Sequence, residues 1–246
     1  MKSFRQIEFK HPLAIRWFHW INFPIIGLMV WSGFLIYWAN DVYRIGWGSF
    51  TLFKFFPPSW YDTLLLKRRL AEGMSYHFTM MWIFTINGIL YCLFLIFSKQ
   101  WKLLFPNKSS WKEAFQVVLY DMHLSKVKPP QLKYNAAQRI AYTGVIVMGI
   151  GSLITGLAIY KPVQLSVFTW ICGGYEWARA EHFILTILFC LFFLVHVIQV
   201  ILAGWNNFLG MIRGFEIFRH AKIPAPIPIP ETDEIAIDIS DENPSE

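Results

Sequence analysis

The chain has 246 residues, of which 55% are hydrophobic and 18% aromatic but only 15% charged. A soluble domain of this size carries roughly 25% charged residues, so the deficit places the chain in a membrane and the length reads as one bundle. The net charge of +6 is accounted for by an uneven distribution of Lys and Arg among the loops, which leaves no nucleic-acid role to explain.

The N-terminal MKSFRQIEFK is positive and precedes an apolar run, as in a signal peptide. That run is long and lacks a small-residue cleavage site, so it is expected to stay as a first helix. Four stretches contain no Asp, Glu, Lys or Arg: 18–39, 77–97, 140–160 and 182–205. About 20 apolar residues span the hydrocarbon core at roughly 1.5 Å per residue. The expected fold is therefore an all-α membrane protein, a four-helix transmembrane bundle.

Between the first two stretches, the loop 40–76 holds aromatics, Pro57-Pro58 and a short amphipathic helix expected around 60–70; it reads as a partner surface on the outer side. The next loop, 98–139, carries a second amphipathic candidate over 111–123. Its Trp111, Phe115, Val118, Leu119 and Met122 are placed to lie on the inner membrane surface. The uncharged stretch 163–175 is too short and Gly-rich to span and is expected to be an interfacial loop. Residues 1–222 thus form the transmembrane domain. The segment 223–246 alternates Pro with Ile or Ala and then turns acidic, and it is expected to be a disordered cytoplasmic tail. No internal repeat is read from the sequence.

Lys and Arg counts set the orientation. The N-terminal segment, second loop and tail together hold 15, against 7 in the first and third loops. Both termini are expected in the cytoplasm. The three cysteines, Cys92, Cys172 and Cys190, are scattered, with no CxxCH for covalent haem and no CxxC pair for zinc or an iron–sulfur cluster.

Ionisable groups inside a bilayer are costly and usually functional. His19, His77, His182 and His196 lie in or at the ends of the four stretches, while His11, His123 and His220 lie in polar flanks and read as solvated. His182 and His196 are 14 residues apart, about 40° short of four turns, so they share a helix face about 21 Å apart along the axis. Chain direction puts His77 level with His182 near the outer surface and His19 level with His196 near the inner one. Neutral imidazole is a standard haem ligand, and each pair would fill both axial positions of one b-type haem, leaving no open site for substrate. A single such histidine could be a hydrogen-bonded packing residue; four that pair by depth point to electron transfer.

The inner pair carries a difficulty. His19 is three residues from Arg16, whereas His196 is 17 residues from Arg213, so the fourth helix must protrude, tilt or bend near Gly204. Gly144, Gly149, Gly151 and Gly156 let the third helix approach a neighbour, either a helix or a porphyrin. Phe189 lies midway between His182 and His196 on their face. Arg16, Arg139 and Arg213 inside and Arg179 outside are candidates to bind haem propionates, or to anchor the chain as inside-positive charges.

The RWFHW motif with His19, the His77 at the head of the second helix, the KYNAAQR run before the third and the EHF–x11–VH pair together resemble the di-haem cytochrome b subunits of formate dehydrogenases, nickel–iron hydrogenases and thiosulfate reductases, a bacterial cytochrome b561-like group. The resemblance covers residues 10–215. It implies two haem b groups in a four-helix core and electron passage between an outer catalytic partner and quinone, menaquinone or ubiquinone. It also implies a quinone site near the inner haem, with Asn135 and Gln138 on the matching KYNxxQ positions. Read on their own, Asn135 caps the third helix and Gln138 closes a capping box, which is compatible. The long aromatic first loop and the acidic tail depart from the hydrogenase and formate dehydrogenase members. The sequence is nearest in look to thiosulfate-reductase-type cytochromes, so a periplasmic molybdopterin oxidoreductase is the expected partner.

The chain is thus read as an electron-transfer subunit of an oxidoreductase complex, without substrate chemistry of its own. Two other readings stay open. One is a stand-alone transmembrane reductase acting on an external acceptor such as ferric iron. The other is a haem-free scaffold or transporter whose histidines relay protons or bind a metal.

Overall fold

In the computed structural model, residues 4–40, 42–47, 49–64, 66, 69–121, 123–127 and 134–220 are described. The elements run β1 (Phe4–Phe9), α1 (Leu13–Tyr37), β2 (Arg44–Trp47), β3 (Phe50–Lys54), α2 (Pro58–Thr63), α3 (Leu70–Phe97), α4 (Trp101–Leu104), α5 (Ser110–Asp121), α6 (Ala136–Tyr160), α7 (Ser166–Ile171), α8 (Tyr175–Ala203), α9 (Trp205–Arg213) and β4 (Phe215–His220). Contacts divide the chain into two units. Phe9–Glu216 holds all the helices, and the chain ends form the other. β1 pairs with β4 in a two-stranded sheet. The 223–246 tail lies outside the described residues.

Four helices, α1, α3, α6 and α8, are long and apolar enough to cross a membrane, and the chain is a multi-pass membrane protein. Each begins a turn or two before its uncharged stretch. An α-helix needs no change of backbone to leave the hydrocarbon, so Arg16, Glu72, Arg139 and Arg179 simply ride on the first turns. α1 lies along α3 and α6 along α8, and these two pairs make most of the contacts between spanning helices.

The pairs are built alike. α1 and α6 are both 25 residues long and end in SGFLIY and TGLAIY. Counted from the helix starts, Arg16 matches Arg139, Ser32 matches Thr155, Gly33 matches Gly156 and Tyr37 matches Tyr160. In the same way His77-Phe78 of α3 matches His182-Phe183 of α8, and Phe84 matches Phe189. Ser32 and Thr155 are both buried. An internal repeat is therefore present, contrary to the sequence reading, and it was hidden because the two halves share few identities outside these positions.

The loops hold more structure than expected. The first contains a β2–β3 antiparallel hairpin with an irregularity between Ile45 and Gly46. The amphipathic helix expected over 60–70 is shorter and earlier, at Pro58–Thr63, with Pro at its first turn where a missing N–H costs nothing. Residues 163–175 are a loop built around the short α7. At its end Gly173 and Gly174 take φ of 75° and 116°, values that L side chains rarely adopt. α5 covers most of the candidate at 111–123, with Val117 buried and Trp111 and Phe115 exposed, while Met122 lies outside the described residues.

The bend required near Gly204 is a break. Gly204 has φ 87° and ψ 168°, ending α8 and starting α9 in a new direction. Arg16 Nη1 donates to the Ile212 carbonyl (2.7 Å) and Trp20 Nε1 to the Met211 carbonyl (3.2 Å), so α9 is held against the start of α1. The chain length between His196 and Arg213 is thus taken up by two helices rather than one axis.

Candidate functional site

His77 stands on α3 and His182 at the matching position of α8, two turns into each helix. Their ring centroids are 6.2 Å apart with planes at 72°. At the opposite end of the bundle, His19 of α1 faces His196 of α8 across 6.0 Å, with planes at 60°. Both pairs expected from chain direction are brought together.

These spacings can be tested against haem. Metal–nitrogen bonds of about 2 Å on each side, plus roughly 1.2 Å from each ring nitrogen to its centroid, give about 6.4 Å between two imidazoles sharing one iron. Both pairs lie close to that value. The hydrogen bonds at the first pair also leave the correct nitrogen for iron. His77 Nδ1 is 3.1 Å from the Met29 carbonyl, which can only accept, so Nδ1 carries the proton and Nε2 has the free lone pair. Ser32 Oγ lies 3.1 Å from the same Nδ1, and Thr155 Oγ1 lies 2.9 Å from His182 Nδ1. The residues present fit two bis-histidine haems.

Glycine makes room for the first pair. A Cβ on Gly33 would meet His77 Cε1 at 3.6 Å, and one on Gly156 would meet His182 Cε1 at 3.4 Å. Of the four glycines singled out on α6, only Gly156 approaches a histidine; Gly151 faces Leu185 and Gly149 faces Phe84. The first loop closes over this end: Phe183, next to His182, stacks on Tyr37 at 4.9 Å and packs with Tyr43, Phe55 and Phe56. Burial there raises the Tyr43 hydroxyl above its ordinary range, with Arg179 opposing.

The second pair is dressed differently. His196 stacks on Phe192 (5.8 Å, 6°) and His19 meets Trp20 edge-on (5.1 Å). His19 Nδ1 is buried without a hydrogen-bond partner among the described residues. At the positions of α6 and α3 matching His19 and His196 stand Tyr142 and Tyr91, so the repeat carries imidazoles on one side of this end and phenols on the other.

Asn135 and Gln138 form the capping box. Gln138 N donates to Asn135 Oδ1 (2.8 Å) and Asn135 N donates to Gln138 Oε1 (3.1 Å). The cap occupies the two oxygens and does not consume either side-chain NH2 group. The candidate arginines are also engaged. Arg16 binds Ile212 as described, Arg139 donates to the Phe105 carbonyl, and Arg179 pairs with Glu176 at 3.1 Å. Arg16 and Arg139 each keep a buried Nε without a partner among the described residues.

Sequence reasoning missed Ser32, Thr155 and Gly33. Comparison of the two halves of the chain at the SG and TG dipeptides would have found them.

A family model described as prokaryotic cytochrome b561 matches residues 10–214. The chain is also 33% identical over 212 residues to a protein of Azospira oryzae named "Putative protein-methionine-sulfoxide reductase subunit YedZ1", an alignment covering 85% of this chain and 98% of that one.

Proposed function

Since the chain belongs to the prokaryotic cytochrome b561 family, we propose that it carries electrons across the membrane on two bis-histidine haem b groups. Family membership makes it a membrane haem electron-transfer subunit. The finer assignment is that His77 and His182 hold one haem, and His19 and His196 the other. The observation that carries this reading is the pair of imidazole spacings, 6.2 and 6.0 Å.

Held by two of these histidines, each haem would supply a one-electron centre suited to electron transfer rather than substrate chemistry. The chain's residues supply the rest. α8 alone contributes one ligand to each pair and so fixes their separation at about 21 Å along its axis. The aromatic loop over Phe183 shields the His77–His182 end from water. Arg16, Arg139 and Arg179 are the cations available to haem propionates. The Asn135 and Gln138 amides face the quinone in our reading, with the capping box holding them in place. The His77–His182 end is assigned to the periplasm, and both chain ends to the cytoplasm of a bacterial inner membrane.

The redox partner is assigned to the periplasmic end. By its name the Azospira relative belongs with a protein-methionine-sulfoxide reductase, and we extend that class to the partner of this chain. It is compatible with the molybdopterin oxidoreductase expected from the sequence, since one names a substrate and the other a cofactor.

Haem quantitation on the purified chain tests the assignment, with His→Leu variants at positions 19, 77, 182 and 196. Wild type should hold two haems. His77→Leu and His182→Leu should lose the same one, and His19→Leu and His196→Leu the other. Loss of a common haem by His19→Leu and His182→Leu would overturn the pairing.

A further inference from the structure

The two hydroxyls at matching positions of the repeat do the same thing. Ser32 Oγ donates to the Leu28 carbonyl one turn back (2.6 Å), and Thr155 Oγ1 donates to the Gly151 carbonyl (2.8 Å). Each hydroxyl has one hydrogen, and that hydrogen is committed to its own helix. What each oxygen presents to the neighbouring imidazole is therefore a lone pair, at 3.1 Å from His77 Nδ1 and 2.9 Å from His182 Nδ1. Both oxygens are acceptors there, so both Nδ1 atoms are donors, and His77 Nδ1 shares its one hydrogen between Ser32 Oγ and the Met29 carbonyl, each at 3.1 Å. Each following glycine, Gly33 or Gly156, allows its ring to lie against the backbone at this level.

We propose that Ser32 and Thr155 are paired positioning residues that accept from the Nδ1–H groups of His77 and His182, Ser32 sharing the first with the Met29 carbonyl, and so aim both Nε2 atoms at one iron and lower the potential of that haem. This rests on the haem assignment above. A hydrogen bond accepted from Nδ1–H makes the imidazole a stronger electron donor. A stronger donor stabilises the ferric form over the ferrous form. Among the described residues, the His19–His196 end lacks a matching contact at His19, whose Nδ1 has no partner. The same device at the same place in two separate helix pairs argues against a packing accident, because Ser32 and Thr155 serve two different histidines from two different helices.

The test is a redox titration of purified holoprotein with optical detection, on Ser32→Ala, Thr155→Val and the conservative Ser32→Thr and Thr155→Ser. Ala and Val should raise the midpoint of one haem, the same in both variants, by a shift on the order of tenfold in its redox equilibrium, about 59 mV for one electron. The second haem should not move. The conservative variants keep the acceptor oxygen and should titrate like wild type. The proposal is overturned if Ala and Val leave both midpoints in place, if they move different haems, or if the conservative variants shift as Ala and Val do. If Ala or Val strips its haem instead, the conservative variants carry the decision: wild-type midpoints support the positioning role and shifted ones overturn it. Failure of the haem assignment is read separately, from haem stoichiometry in wild type and the histidine variants.

Discussion

Arg16 Nη1 donates to the carbonyl of Ile212 at 2.7 Å, so the end of α9 is fastened to the beginning of α1, three residues before His19. This contact depends on the turn at Gly204, where φ is 87° and ψ 168°. That combination is accessible essentially to glycine alone. Gly204→Ala should therefore destabilise the protein by about 1–3 kcal/mol. Release of α9 should act first on the His19–His196 end. Thermal denaturation followed at the haem band should show a lower midpoint, with one haem lost before the other. Unchanged melting and simultaneous loss of both haems would count against the role given to this turn.

Gly73 of α3 sits where α3 crosses α1. A Cβ there would stand 2.6 Å from Leu35 Cβ and 3.1 Å from the Ser32 carbonyl, and both neighbours are fully buried. Neither can swing away, so Gly73→Ala should cost about 1–3 kcal/mol by overpacking. The displaced segment of α1 contains Ser32, so the variant should also alter the spectrum of the haem assigned to His77 and His182. Gly88, on the same helix with nothing among the described residues within 4 Å of an added Cβ, supplies the control. Gly88→Ala should be neutral or stabilising by up to about 1 kcal/mol through helix propensity. Equal melting temperatures for the two variants would contradict the packing argument.

The spanning helices were legible in the sequence because exclusion of charge over about 20 residues has few other causes. The approach of His77 to His182 and of His19 to His196 was legible for a simpler reason: chain direction alternates at each crossing, so depth follows from position in a helix. The break at Gly204 was signalled only as a mismatch between His196 and Arg213, since a glycine does not reveal its φ. The β2–β3 hairpin escaped because its exposed strands, with Ile45, Phe50 and Leu52 at half exposure or more, lack the alternation of a half-buried strand. Ser32 and Thr155 escaped because a hydroxyl in an apolar helix reads as a residue bonding its own backbone, which each also does. Their second role appears only when a histidine from another helix is beside them.

Cys172 is buried at 6% exposure beside α8. Burial, reinforced by the Glu181 carboxylate and its hydrogen bond, pushes the thiol above its ordinary range. Only the thiolate attacks alkylating reagents, and a raised thiol value means that less thiolate is present at any given pH. In the folded protein Cys172 should react more slowly with iodoacetamide at pH 8 than a free thiol does, and denaturation should restore the ordinary rate. Mass spectrometry of the peptide containing Cys172 gives the readout. Rapid labelling of the native chain would show that the thiol is neither buried nor held protonated.

Asn87 is buried in the middle of α3, where its Nδ2 donates to Asn22 Oδ1 of α1 at 2.8 Å and also approaches the Phe18 carbonyl at 3.2 Å. Phe18 immediately precedes His19, so this polar contact joins α1 to α3 close to the second histidine pair. Interhelical hydrogen bonds in membranes contribute about 0.6 kcal/mol on average and at most about 1.7. Removing one partner also leaves the other unsatisfied in an apolar setting, at a cost of about 1–3 kcal/mol. Asn87→Leu alone should therefore destabilise more than the bond itself is worth. The double variant Asn22→Leu/Asn87→Leu removes both polar groups and should recover part of that loss. A thermal-stability cycle over the four proteins measures the difference. If the double variant is as unstable as the sum of the two single ones, the contact is not a coupled pair and α1 is held to α3 by packing alone.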